Sequence, residues 1–178
     1  MTPKLLRRLD ATAAALLWAW VGAGLGFGIL TAPGLFRIVS SRDLAGQVAG
    51  NAVANLDLAA WIVFSAALLL VYAGRWFAGV DDIAGLGPIR LWAAACLAAL
   101  TICVASSFIV TPKLHEIRAR MNAPVESLPA TNPDRAAYDK AHSASRQFFF
   151  LRLLLAAGLA MTLGRLPVER ESLKEEQA

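Results

Sequence analysis

Charge is what this sequence lacks over most of its length. No charged side chain occurs between Asp10 and Arg37, between Asp57 and Arg75, or between Arg90 and Lys113. Between Arg146 and Arg165 only Arg152 interrupts. Cysteine is scarce as well. Cys96 and Cys103 are the only two, and both lie in the third uncharged stretch. Seven residues apart on a helix, they share a face about 10 Å from each other, too far for a disulfide. They read as two small hydrophobes in a helix bundle, with a soft-metal site as the alternative. Histidine is limited to His115 and His142. The chain has no nucleophile motif, phosphate-binding glycine loop, paired-cysteine site or zinc-protease pattern.

What remains is apolar. The chain of 178 residues is 57% hydrophobic and 17% charged, with a mean hydropathy of +0.54. A hydrocarbon core about 30 Å thick takes roughly 20 apolar residues per helical crossing. Four stretches meet or approach that length, at about 11–31, 53–74, 89–110 and 147–164. The expected fold is therefore all-α, an integral membrane antiparallel four-helix bundle over residues 1–166, followed by a short charged tail at 167–178. Four spans and their links consume nearly the whole chain, which leaves no separate soluble domain. The net charge of +4 is spread among acids and forms no basic stripe, so nucleic acid is not an expected partner. Lys and Arg beside spans instead set orientation and meet lipid headgroups. Their counts on the two sides are nearly even. Lys4, Arg7 and Arg8 ahead of the first span favour an N-terminus inside. That run stays uncharged as far as Phe36, which argues for an anchor over a signal peptide cleaved after Ala23.

Gly22, Gly24, Gly26 and Gly28 alternate in the first span and form two small-xxx-small pairs, which allow close helix approach. Pro33 and Gly34 are expected to end that span. Ser40 is expected to cap a long helix through Asp43 to about Gly74. Asp57 is expected at the membrane interface, and Arg152 is expected to snorkel back to it. Trp76 and Trp92 read as interfacial anchors. Lys113 to Met121 reads as a short amphipathic helix after Pro112. Residues 122–134, with three prolines, are expected to be irregular, and the final helix to start near Arg135. The run from Ile29 to Pro33 resembles that from Ile109 to Pro112, with one gap. The pattern of a span ending at Thr and Pro, then a link, then a long helix therefore occurs twice, as two similar hairpins.

With four spans, the first and third links share a side. That side collects Arg37, Asn51, Asn55, Asp57, His115, Glu116, Arg118, Asp139, His142 and Arg146. Asp139 and His142, three apart, share a helical face. A polar cluster of Asp57, Arg118, Asp139 and His142 is expected there. It would tie the hairpins together or, alternatively, place an imidazole for proton transfer. His115, Glu116 and His142 are the candidate metal ligands.

Thr31 to Arg37 with Ser41 to Val48, then Thr111 to Arg118, then Tyr138 to Ser145, resemble the three signatures of the transmembrane protein 205-like family. Its bacterial members carry the name domain of unknown function 4149. The resemblance covers roughly residues 15–160 and picks out Pro33, Phe36, Gly46, Pro112, Arg118, His142 and Ser145. It implies a small four-span membrane protein of the bacterial inner (plasma) membrane, with no established enzymatic activity and no cofactor. The expected function is non-enzymatic, through helix packing, a homo-oligomer or membrane-protein partner, or contact with the lipid bilayer. A transporter or exporter component is the alternative, and a membrane enzyme or metal-binding protein using His142 is a third reading.

Overall fold

The computed structural model describes residues 2–77, 86–121 and 123–166. The expected charged tail and the acids Asp81 and Asp82 lie outside the described residues. Among the described residues there are six α-helices: α1 (Pro3–Gly26), α2 (Ala32–Ile38), α3 (Arg42–Phe77), α4 (Leu86–Ala105), α5 (Thr111–Arg120) and α6 (Pro133–Thr162). A π-helical turn at Phe27–Thr31 joins α1 to α2, and another at Ser106–Val110 joins α4 to α5. Four continuous helical runs result, Lys4–Ile38, Arg42–Phe77, Gly87–Arg120 and Pro133–Arg165, each long and apolar enough to cross a membrane. The 36 residues of α3 reach about 54 Å at about 1.5 Å per residue. A hydrocarbon core is only about 30 Å thick.

The proline-marked ends expected for the first and third runs are not ends. A helical proline removes one N–H donor and crowds the carbonyl four residues back. Here the chain widens by one residue just before it. Ala32 N–H donates to the Phe27 carbonyl and Thr111 N–H to the Ser106 carbonyl, each five residues back. The turn absorbs the proline, and the helix continues to Ile38 or Arg120. The starts of α3 and α6 carry side-chain caps. Ser41, not Ser40, caps α3, its Oγ accepting from Leu44 N–H at 3.3 Å. Asn132 caps α6, its Oδ1 accepting from the N–H groups of Asp134 and Arg135 at 2.9 and 3.2 Å. Pro133 stands at the first position, where its missing donor costs nothing.

The hairpin repeat holds without the gap. The π-turns begin at 27 and 106 and the prolines stand at 33 and 112, a constant difference of 79. The same difference matches buried positions on α1 and α4: Asp10 with Ile89, Ala13 with Trp92, Leu17 with Cys96, Trp20 with Ala99, and Gly24 with Cys103. One register thus serves the first arm of both hairpins. Apart from Asp10 and Gly24, the core gathers these residues with Ala60, Phe64, Ala67 and Val71 of α3 and Leu153, Ala156 and Leu159 of α6. Trp92 belongs to that core at 4% exposure, its Nε1 donating to the Leu159 carbonyl at 3.0 Å. The expected interfacial role is corrected for it. Trp76, 70% exposed, stays on the surface.

Candidate functional site

The interior holds charge after all. Asp57 on α3 is 3% exposed and Arg152 on α6 is fully buried. Arg152 Nη2 donates to Asp57 Oδ1 at 2.5 Å, and Ser106 Oγ donates to Asp57 Oδ2 at 2.8 Å. Both carboxylate oxygens are therefore occupied. Arg152 Nε donates to the Phe148 carbonyl at 3.3 Å, and Nη1 to Cys103 Sγ at 3.6 Å. Three helical runs meet in this cluster, and Ser106 opens the second π-turn. An aromatic wall lies beside it. Trp20 Nε1 donates to the Leu56 carbonyl at 3.0 Å, and its ring tilts against Phe64 and Phe149 at 5.7 and 6.2 Å.

Two expectations are overturned by this geometry. Asp57 is not at the water interface, and Arg152 does not snorkel. A charge at membrane depth is costly, and pairing with full hydrogen bonding is what offsets that cost. Asp57 and Arg152 find each other inside, so neither has to reach water. No buried side-chain nitrogen or oxygen lacks a hydrogen-bond partner among the described residues.

A second buried pair sits toward the opposite end of the bundle. Arg75 on α3 forks onto Asp10 of α1 at 2.8 and 2.9 Å, and also donates to the Val71 carbonyl at 3.2 Å. Arg7 Nη1 reaches the Gly164 carbonyl at 3.0 Å. Neither pair was expected. The one signal for them was four charges, Asp10, Asp57, Arg75 and Arg152, standing at the edges of apolar stretches or within one.

The remaining predicted residues are dispersed. Arg118 on α5 pairs with the Asp43 carboxylate and donates to the Asp43 carbonyl at 3.1 Å. It has no ion pair with Asp57 among the described residues. The Asp43–Arg118 pair borders a cavity of about 260 Å³ completed by Met121, Ala123, Pro124 and Val125. Gly46 packs beside this contact, its Cβ position 3.9 Å from Arg118 Nη1. Asp139 lies 3.9 Å from Arg135, one helical turn away, and His142 is exposed and stacks on Tyr138 with ring centres 6.0 Å apart. Asp139 and His142 stand one turn apart on α6, with no hydrogen bond or ion pair between them among the described residues. Glu116 pairs with Arg120 at 3.2 Å. No three His, Cys, Asp or Glu side chains gather to hold a metal among the described residues, so His115, Glu116 and His142 are not assembled as a ligand set. Pro33 and Pro112 follow the two π-turns, Phe36 is 46% exposed, and Ser145 is half-buried. Cys96 and Cys103 are free and buried, Cys96 Sγ donating to the Phe64 carbonyl at 3.3 Å.

Comparison with family models, curated proteins and solved structures finds no match to this chain.

Proposed function

We propose that this chain is a small, non-enzymatic four-span protein of the bacterial inner membrane, belonging to the transmembrane protein 205-like family. It acts through helix packing and through contact with lipid, a second copy or another membrane protein. One observation carries the reading: the interior charges are consumed in joining helices. Asp57 and Arg152 join the two hairpins, Asp10 and Arg75 join the two helices of the first, and each carboxylate is fully engaged. Groups arranged that way serve cohesion. The test is purification in mild detergent, with native mass spectrometry reading oligomer mass, bound lipid and any retained partner. A strictly monomeric, lipid-free and partner-free particle would count against it.

A second reading, a transporter or exporter component, has its own support. The Asp57–Arg152 pair lies where two parallel repeats meet, the place where repeat-built transporters hold substrates and coupling ions. Proteoliposomes loaded with a pH-sensitive dye address it. Proton flux above that of empty liposomes, abolished in Asp57→Asn, would favour this second reading over the first.

A further inference from the structure

The first arms of the two hairpins share one register, yet their outer ends, α2 and α5, are held differently. In the second hairpin, Ser106 at the head of the π-turn bonds to Asp57, Arg118 clasps Asp43 across the hairpin boundary, and Ile117 is 1% exposed. The matching positions in the first hairpin, by the same difference of 79, are Phe27, Val39 and Ile38. Phe27 carries no hydroxyl and Val39 no charge, and Ile38 is 86% exposed. Neither the first π-turn nor α2 buries any residue. No side chain of α2 makes a hydrogen bond or ion pair among the described residues.

The point where the first run leaves α6 can be located, and beyond it α2 packs chiefly against α3. A Cβ on Gly24 would come within 2.8 Å of Leu153 and 3.2 Å of Phe149, so α1 and α6 touch there. One turn further, a Cβ on Gly28 would meet nothing within 4 Å. Along α6 no residue ahead of Arg152 is buried. Thus the first run is held to α6 through Trp20 and Gly24, and the part free of α6 begins at the π-turn. π-turns and prolines are where helices bend, and sparse burial is the structural mark of an element that opens at low cost.

We propose that the π-turn Phe27–Thr31 is a hinge and that α2 is a movable arm. The arm swings against the first half of α6 and covers or uncovers the approach to Asp57 and Arg152 from the side of the first and third links. The matching arm α5 is latched, and its latch includes the buried pair itself through Ser106. The state of that pair is therefore read by α5, while α2 moves independently of it.

Spin labels on exposed sites test this in phospholipid nanodiscs. One pair, Phe36→Cys with Lys140→Cys, spans α2 and α6. The other, Lys113→Cys with Leu44→Cys, spans α5 and α3. The unsubstituted chain, whose two cysteines are buried, serves as the labelling blank. Pulsed electron double resonance should give a distance distribution roughly twice as wide for the first pair as for the second. Pro33→Ala should narrow the first, because the helix can then close its ordinary turn. Ser106→Ala should broaden the second and leave the first unchanged. Equal widths for the two pairs in the otherwise native chain would overturn the hinge. A second pair unmoved by Ser106→Ala would overturn the latch.

Discussion

Asp57 and Arg152 show what a residue does when water is out of reach. Removing one partner of a buried, hydrogen-bonded pair strands the other, at a cost of about 3–5 kcal/mol in soluble proteins. Interhelical hydrogen bonds measured in membranes are weaker, averaging about 0.6 kcal/mol, but here a full charge is left alone. Arg152→Ala is therefore expected to lower the unfolding temperature in detergent more than Ser106→Ala does. The double variant Asp57→Leu with Arg152→Met should recover much of the loss. If the double variant is no better than the single one, the pair contributes more than cancellation of charge. The sequence showed both residues as charges within or beside apolar runs. It did not show their partnership, because nothing local links positions 57 and 152, and because each side chain alone has the simpler option of reaching water. Trp92 was misplaced for a related reason. A tryptophan next to Arg90 has the local pattern of an interfacial anchor, and only the packing of α4 on α6 turns its N–H to the Leu159 carbonyl.

Among elements, α1 carries the sharpest contrast. Four alternating glycines look equivalent in sequence, yet only Gly24 lies where a side chain would collide. Gly22, Gly26 and Gly28 have open space at their Cβ positions. Gly24→Leu should therefore destabilise the bundle, while Gly28→Leu leaves its thermal unfolding within about 0.5 kcal/mol of the parent, as substitutions away from packed sites do. Comparable losses in both variants would mean that α1 is rotated from the orientation described. The glycine run identified the helix that approaches its neighbours closely, but not which of its faces does so. Pro33 and Pro112 mark helix ends only under the rule that proline stops a helix. That rule weakens in long apolar helices, where local π adjustments re-satisfy the backbone. The repeated proline is thus a sound sign of a repeat and a poor sign of a boundary.

At the scale of the molecule, the repeat fixes which ends belong together. Two similar hairpins, α1 to α3 and α4 to α6, with their first arms in one register, bring the links after α2 and α5 to one end of the bundle. The Arg118–Asp43 contact ties those links across the hairpin boundary. The Arg7–Gly164 contact similarly brings the start of the first run to the end of the last. The helix count and hairpin design were legible because apolar length and charge spacing are one-dimensional signals. The joining of the hairpins was not, since it depends on contacts between residues far apart in the chain. A bilayer around this bundle must then see Ser40 and Ala123 on one side and Thr2 and Arg90 on the other. Single cysteines at these four positions, challenged in sealed vesicles with an impermeant maleimide, should sort into those two pairs. Labelling of Ser40→Cys and Ala123→Cys from opposite sides would require an odd number of crossings between them. The two hairpins could not then stand side by side in one register, and the Asp57–Arg152 bond between them could not form.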